Sequence, residues 1–298
     1  MSKGAAREHR GTTRWTRHIL PTYYTLVIIY LCSPIAVMIL FGFNDVPGRV
    51  NAKWYGFTLK WYRDLFAVRG LTQALITSLE LAVLATLIAT VIGSFMGLAL
   101  GRYTFWGVGI MGFIIFLAIS SPEIVDGVAQ LVWFVKLSSI HIGPLKPFAL
   151  GFPTILWAHI MFSVSFVAIT VRARVAGLDS SLEEAAQDLF ATPVQTFMKV
   201  TLPTIMPGVM AGALLAFALS IDDFVITNLV SGQTSTFPLW VYASAKAGIP
   251  PQVNVMGSLL FFAGVSAAVV SATLPKIAQV RGEKRLDRER RERAAAAA

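Results

Sequence analysis

Long apolar runs alternate with short polar segments along this chain, and each run is long enough to cross a bilayer as a helix. About 20 apolar residues suffice for one crossing, because an α-helix rises about 1.5 Å per residue. We therefore predict an all-α, multi-pass membrane protein. Its six transmembrane helices are expected at residues 19–43, 71–101, 105–121, 151–171, 205–230 and 253–275.

Residues 122–137, between the third and fourth runs, are also apolar, but they are not counted as a separate span. They contain Glu123, Asp126 and Gln130, and they begin with Pro122, which would bend a continuing helix. The pattern therefore predicts a bent continuation of the third span or a shallow helix on the outer side. Counting a seventh span would invert the orientation of everything that follows.

The composition and the positions of the charges agree with a membrane protein. Of 298 residues, 55% are apolar and 14% are charged, whereas a soluble domain carries roughly a quarter charged residues. The net charge of +9 arises mostly from two terminal segments, so no basic face for nucleic acid is predicted. Since positive residues stay on the cytoplasmic side, we expect basic and charged cytoplasmic tails at 1–18 and 276–298, a transmembrane domain at 19–275, and a cytoplasmic loop at 172–204.

Several kinds of chemistry are disfavoured by the residues present. The single cysteine, Cys32, excludes a disulfide framework, and His141 and His159 have no partner at metal-binding spacing. No Gly-x-x-x-x-Gly-Lys-Ser/Thr motif occurs, so we expect no bound cofactor and no ATP hydrolysis by this chain. An intramembrane enzyme that uses His159 with Ser163 and Ser165 is disfavoured, because such residues in an apolar helix commonly pack or bond to their own backbone.

Loop 172–204 has the most regular polar pattern in the chain. Ser180 or Ser181 is predicted to cap a short helix whose first turn is acidic, as the helix dipole favours. Thr192 is predicted to cap a second helix with Pro193 at its first position. The loop is therefore expected to form two short amphipathic helices at an angle to each other.

The first of these helices contains Glu184-Ala185-Ala186, and Leu202-Pro203 follows after a spacer. This pattern resembles the EAA loop of inner-membrane permeases of ABC importers, in which the loop is a coupling helix seated in a cleft of the ATPase subunit. Two adjacent alanines leave a shallow face that suits such docking. The resemblance implies a coupling role for Glu183, Glu184, Ala185, Ala186, Asp188, Phe190, Leu202 and Pro203.

The chain departs from the family pattern at one position of this loop, where Phe190 replaces a glycine. Glycine permits a turn with positive φ, which phenylalanine resists. We therefore expect either that another residue makes the turn or that the two helices meet at a different angle.

Within that family, the chain is most similar to the spermidine/putrescine permeases. Five segments carry the similarity: WYGFTLKWY at 54–62, SPEIV at 121–125, EAAQD at 184–188, SIDDFVIT at 220–227 and PPQVN at 250–254. The resemblance implies the type I importer fold in a bacterial inner membrane, with a sister permease subunit in a heterodimer, two ATP-binding subunits that use ATP, and an extracytoplasmic substrate-binding protein. Related permeases for sugars, ferric iron or phosphonates share this fold, so other substrates stay open.

Acidic residues inside or beside the spans give an independent indication of a cationic substrate. Glu80, Asp222 and Asp223 lie within the predicted spans, while the six apolar cores contain no Lys or Arg. Charges at membrane depth are costly unless they are paired or hydrated, so they often mark a transport pathway. Asp222 and Asp223 are joint candidates, although adjacent helical residues diverge by about 100° and only one can face a given path.

The predicted pathway combines these acids with aromatic side chains suited to cation–π contact with a diamine or triamine. Its candidate residues are Asp222, Asp223, Glu123, Asp126, Glu80, Trp133, Phe224, Trp240 and Tyr242. Glu80 at the headgroup level and Asp126 as a helix cap are alternative interpretations. A proton-coupled secondary transporter is the alternative function, but it predicts an internal repeat of broken helices and leaves the EAA loop unexplained.

Overall fold

The computed structural model describes residues 14–48, 50–138, 148–246, 248–270 and 273, and these residues are predominantly helical. Most of the two predicted tails, the final residues of the sixth predicted span and His141 lie outside the described residues. The helices, in chain order, are α1 (Arg14–Phe41), α2 (Lys60–Arg63), α3 (Arg69–Arg102), α4 (Val108–Ser120), α5 (Glu123–Leu137), α6 (Phe152–Val175), α7 (Ser181–Asp188), α8 (Pro193–Thr196), α9 (Leu202–Asp222), α10 (Val225–Val230), α11 (Phe237–Ser244) and α12 (Pro251–Val270). A π-helical turn, Phe197–Thr201, joins α8 to α9.

Five of the described helical stretches are long and apolar enough to span a bilayer: Ile19–Phe41, Arg69–Arg102, Phe152–Val175, Pro193–Asp222 and Pro251–Val270. Helices α4 and α5 pass the same test only as a pair, bent by 108°. Ser121, which precedes Pro122, is extended (φ −71°, ψ 136°), because the proline ring disfavours helical dihedrals in the preceding residue. The predicted bend at Pro122 is confirmed.

The fifth span differs from its sequence-based boundaries. The apolar run predicts an unbroken helix to Val230, but α9 ends at Asp222 and α10 is a separate helix. Asp223 leaves helical geometry (φ −61°, ψ 124°), and its carboxylate accepts a hydrogen bond from the Thr227 backbone N–H at 2.8 Å. Aspartate competes in this way with the helical hydrogen-bond ladder, so an apolar run alone does not reveal the interruption.

The chain divides into two compact units, the first formed by Met1–Leu65 with Gly248–Leu260. Asn44 organises the polar segment after α1 in this unit, and it is fully buried. The Asn44 side chain donates to Asn51 Oδ1 at 2.7 Å and accepts from the Tyr55 backbone N–H at 2.7 Å. The Trp61 indole donates to the Asn44 backbone carbonyl oxygen at 2.7 Å. The segment is therefore an ordered structure rather than a simple linker.

The second unit, Phe66–Ala247 with Phe261–Ala298, contains the packed helices α3, α6 and α9. Glycines bring these helices together: a Cβ added at Gly97 would lie 2.5 Å from the Ala168 carbonyl oxygen of α6, and one at Gly208 would lie 2.7 Å from the Arg174 Cβ. Close helix packing of this kind is typical of glycines four residues apart in membrane helices. Two such pairs, Gly93 with Gly97 in α3 and Gly208 with Gly212 in α9, serve packing within the chain.

Candidate functional site

Asp222 and Asp223 lie at the break between α9 and α10, and the break separates their environments. Asp222, the last residue of α9, is exposed. The side chain of Asp223 is only 8% exposed. The sequence left these two residues as joint candidates, whereas in the structure one is exposed and the other is bonded internally.

The internal role of Asp223 depends on His159, a buried residue of α6 that bonds to both sides of the break. Its Nδ1 lies 2.7 Å from the Ser220 hydroxyl of α9, and its Nε2 lies 2.9 Å from the Thr227 hydroxyl of α10. The same Nε2 is 3.4 Å from the Asp223 carboxylate, which also accepts a hydrogen bond from the Thr227 hydroxyl. We call these four residues, His159, Ser220, Asp223 and Thr227, the break network.

The break network is the part of the site that sequence reasoning missed. His159 has no candidate partner near it in the sequence, because Ser220 and Thr227 are 61 and 68 residues away. The available signal was the residue type itself, since a buried imidazole within a span requires hydrogen-bond partners from other helices. Its partners became visible only when α6 and α9 were placed side by side.

Glu123 is brought to the same break from α5. Helix α5 packs on α10 at Gly127, where an added Cβ would lie 2.6 Å from the Leu229 side chain. Glu123 is exposed in the first turn of α5, and the carboxylates of Asp223 and Asp222 are its electrostatic neighbours. Glu123, Asp222 and Asp223 therefore form an acidic cluster assembled from two parts of the chain.

Two of the predicted aromatic residues pack against each other at the break. The Phe224 ring, directly after the break, lies 4.7 Å from the Tyr242 ring of α11 (centroid to centroid). Trp240 packs instead against the start of α3, where a Cβ added at Gly70 would lie 3.0 Å from its indole nitrogen. The remaining predicted pathway residues are exposed or half-exposed at other positions of α3 and α5: Glu80, Asp126 and Trp133.

In loop 172–204, two neighbouring glutamates have different environments. Glu183 forms a salt bridge with Arg102 at the end of α3, and it accepts a hydrogen bond from the Thr201 hydroxyl at 2.7 Å. It therefore ties α7 to α3 and to the π-helical turn. Glu184 is exposed, as are Ala185 and Asp188, so this part of α7 is available to a partner.

The predicted cap of α8 is confirmed, and the predicted cap of α7 is corrected. The prediction that Ser180 or Ser181 caps α7 is wrong, because Ser180 has helical dihedrals and its side chain makes no capping bond. The Asp179 carboxylate accepts from the Ser181 backbone N–H at 2.9 Å instead, and the hydrogen bonds from Ser181 hold the pKa of Asp179 below its ordinary value. The cap by Thr192 is confirmed, with reciprocal bonds to Gln195 at 3.3 and 3.0 Å.

Phe190 makes the turn that the family pattern assigns to glycine. Its φ is 61°, so the expectation that another residue makes the turn is wrong, while the expectation of a different angle between the two helices stays a prediction. The Phe190 N–H bonds to the Gln187 carbonyl at 2.9 Å, and the Ala191 N–H bonds to the Ala186 carbonyl at 3.1 Å, which is the Schellman pattern of a glycine-terminated helix. The left-handed conformation costs a residue with a side chain roughly 1–2 kcal/mol.

Of the remaining residues of the predicted coupling set, Ala186 is half-buried in α7, and Leu202 and Pro203 follow the π-helical turn. Leu202 is the first residue of α9 and packs on the core cluster that contains Val171 and Ile205. Pro203 follows directly, and α9 continues the helical stretch that begins at Pro193 and passes through the π-helical turn. Both residues therefore lie within the fifth helical stretch, whereas α7 contributes exposed residues to the surface of the loop.

Comparison with known proteins gives a consistent set of relatives. Residues 89–288 match the family described as "Binding-protein-dependent transport system inner membrane component". The chain is 36% identical over 255 residues to the spermidine/putrescine transport system permease protein PotC of Escherichia coli (strain K12), a match that covers 85% of this chain and 92% of that protein. It is 34% identical over 233 residues to the putrescine transport system permease protein PotI of the same organism, with 78% and 81% covered.

Among solved structures, the chain is similar to a bacterial alginate ABC transporter in complex with an alginate pentasaccharide-bound periplasmic protein. The TM-score is 0.58 at 16% identity, and the match covers 87% of this chain and 92% of that one. At this level of identity, the likeness concerns the fold alone.

Proposed function

This chain belongs to the binding-protein-dependent transport system inner membrane components, and on that premise we propose that it is the permease subunit that carries polyamines such as spermidine and putrescine in an ATP-driven importer. The all-α, multi-pass fold expected from the sequence is confirmed, and the protein is located in the bacterial inner membrane. The polyamine substrate is supported by the permeases PotC and PotI, to which the chain is similar over most of its length.

The observation that carries this proposal is the acidic cluster at the break in the fifth span. Asp222 and Glu123 are both exposed there, and the apolar cores of the spans contain no Lys or Arg to neutralise them. Two uncompensated carboxylates attract an external cation, and a polyamine brings ammonium groups that form charge-assisted hydrogen bonds with carboxylates. Asp223 contributes negative charge to the same place while it is held by His159 and Thr227.

The aromatic residues suit the apolar part and the charge of such a substrate. The Phe224–Tyr242 pair, in which Phe224 directly follows the break in the chain, offers aromatic surface for methylene groups and for cation–π contact with an ammonium group. In this proposal, the remaining predicted residues contribute elsewhere along the path: Glu80, Asp126, Trp133 and Trp240. The binding of ammonium groups is assigned first to Asp222 and Glu123.

We propose that loop 172–204 faces the cytoplasm together with both termini, and that α7 docks on one of two ATPase subunits. The exposed Glu184, Ala185 and Asp188 support this, because they are free for a partner while Glu183 holds α7 to the spans. A sister permease and an extracytoplasmic binding protein complete the assembly. Closure of the ATPase dimer would then change the orientation of the spans and open the path to the outside.

The test is ATP-dependent uptake into proteoliposomes that contain the complete transporter, with spermidine, putrescine, a sugar and ferric iron compared. We expect uptake of the two polyamines only, and only with ATP. Asp222→Asn should lower polyamine uptake by about tenfold or more, because it removes a charge-assisted partner of the ammonium group. Asp64→Asn, an exposed carboxylate outside the spans, is the matched control.

Two outcomes would contradict the proposal. Uptake of a sugar or of ferric iron in preference to polyamines would assign the importer to another substrate. Polyamine uptake that continues without ATP would favour a secondary transporter in which the acids carry protons.

A further inference from the structure

The exposed surface of loop 172–204 contains two adjacent apolar side chains that the described part of the chain does not cover. Leu189 is 82% exposed and Phe190 is 96% exposed. Phe190 also has a positive φ, which glycine adopts without strain. The Schellman turn needs only the backbone of this residue, so the phenyl ring adds backbone strain and stabilises nothing within the described part of the chain.

From this combination we infer that Phe190 is an anchor residue that inserts into an apolar pocket of the ATPase subunit. The inference rests on the proposed function, which makes that subunit the partner of the loop. Strained residues persist where a function requires them, and aromatic anchors in desolvated pockets dominate the energetics of many interfaces. The pocket is therefore expected to be a feature of the ATPase partner of this chain, matched to a phenyl ring rather than to glycine.

The charge of residues 177–198, which lie in the loop between Arg174 and Lys199, favours a protein pocket over insertion into the bilayer. Residues 177–198 contain no Lys or Arg, while Asp179, Glu184 and Asp188 are exposed acids. An anionic membrane surface repels such a segment, whereas a pocket with a basic rim attracts it. The occupant of this surface is thus a protein with an apolar pocket surrounded by positive charge.

The inference predicts opposite effects of one substitution on two measured quantities. Phe190→Gly removes the ring and also relieves the backbone strain, so the permease itself should melt at the same temperature as the wild type or higher. Its affinity for the ATPase subunit should fall, because the anchor is gone. A purely structural role of Phe190 predicts instead that both quantities fall together.

The experiment titrates purified ATPase subunits onto proteoliposomes that contain the permease pair, and it measures the half-saturating concentration. Phe190→Gly should raise this concentration by about tenfold or more, as truncation of an aromatic hot-spot residue does. Phe190→Leu keeps an apolar side chain and should stay close to wild type. Trp106→Ala is the matched control, because it removes a 92% exposed aromatic residue from the turn between α3 and α4.

If Phe190→Gly binds the ATPase subunits with wild-type affinity, the inference that Phe190 is an anchor residue is wrong. Glu184→Lys in the same titration separates this result from a failure of the proposed function. If Glu184→Lys prevents binding and Phe190→Gly does not, the docking of α7 stands and the anchor is wrong. If neither variant changes binding, the assignment of the loop to the ATPase is wrong as well, and the anchor with it.

The membrane alternative is tested with a fluorescent label at the same position. In a Cys32→Ser background, which removes the single native cysteine, Phe190→Cys is labelled with an environment-sensitive dye. A blue shift that appears when the ATPase subunits are added supports the anchor. A blue shift already present in vesicles without ATPase, and unchanged by its addition, would show lipid insertion and overturn the inference.

Discussion

The break at Asp223 and the turn at Phe190 both interrupt helical structure, but they are stabilised in different ways. At Asp223, the carboxylate and the neighbouring hydroxyl groups are bonded to His159 and to the start of α10. At Phe190, the backbone bonds of the Schellman turn are made, while the side chain is exposed and its φ is positive. The first interruption is stabilised by side-chain hydrogen bonds within the chain. At the second, the exposed side chain stabilises nothing in the described part of the chain.

The difference separates an interruption with a fixed geometry from one for which we have proposed an interaction with another protein. A buried, fully bonded network is rigid, because each bond is strong in a medium of low dielectric constant and each lost partner is costly. An exposed, strained residue has no such support, and its conformation is useful only if a partner uses it. In the roles proposed above, the break network fixes the end of α9 that carries Asp222, whereas the Phe190 turn presents a side chain for docking.

The largest expected effect comes from removing the centre of the break network. His159→Ala leaves Asp223, Ser220 and Thr227 without their imidazole partner, so the stability of the solubilised permease should fall by about 2–4 kcal/mol. The measurement is thermal unfolding in detergent. Met161→Ala, at an exposed position of the same helix, is the control, and equal melting of His159→Ala and wild type would contradict the network's role.

A conservative variant sharpens this result. His159→Gln keeps a donor and an acceptor on one side chain, so it should retain more stability than His159→Ala. If the two variants unfold at the same temperature, the volume of the ring matters rather than its hydrogen bonds.

A smaller effect is expected within loop 172–204, where Glu183 is satisfied internally and Glu184 is not. Glu183→Gln removes the partly exposed salt bridge to Arg102 and should lower stability by about 0.5–1 kcal/mol. Glu184→Gln should leave stability unchanged, because its side chain is exposed. Both variants are compared by thermal unfolding without ATPase. A larger loss of stability for Glu184→Gln than for Glu183→Gln would contradict the assignment of Glu183 as the internally bonded glutamate.

The smallest effect concerns the first turn of α7. Asp179→Ala removes the acceptor of the Ser181 N–H, so the amide of Ser181 should exchange with solvent faster than in the wild type. The pKa of Asp179 is lowered in the folded protein, so its contribution is present above the ordinary value of 3.8 and is lost as pH falls through the lower, folded pKa. Hydrogen exchange of the two proteins should therefore converge in strong acid, and a difference that persists there would assign the cap to another group.

Local features of the fold could be predicted from the sequence because they depend on neighbouring residues. Pro122 restricts the dihedrals of Ser121, and Thr192 with Gln195 forms a reciprocal cap three residues apart. The apolar runs predicted five described spans and the bent pair α4–α5 for the same reason. The cap of α7 was assigned to the wrong residue, since aspartate and serine side chains at neighbouring positions both suit that role.

The candidate site was only partly predictable. Glu123 and Asp222 were identified from the cost of charge in apolar runs, which does not depend on the partners of the residue. The different roles of Asp222 and Asp223 were not predictable, since they depend on His159 in another helix. The φ of Phe190 was predicted wrongly, because the hydrogen bonds of the Schellman turn outweigh the preference of a single side chain.

By itself, the sequence determined that this protein is a multi-pass helical permease with acidic residues beside its spans, because hydropathy, charge position and short motifs act over a few residues at a time. Only the tertiary structure decided which acid is bonded internally and which is exposed, how α5 and α10 meet at Gly127, and what surface α7 presents. These features require segments tens of residues apart to lie within hydrogen-bonding or van der Waals distance. Such contacts arise from the packing of whole helices, and no local pattern encodes them.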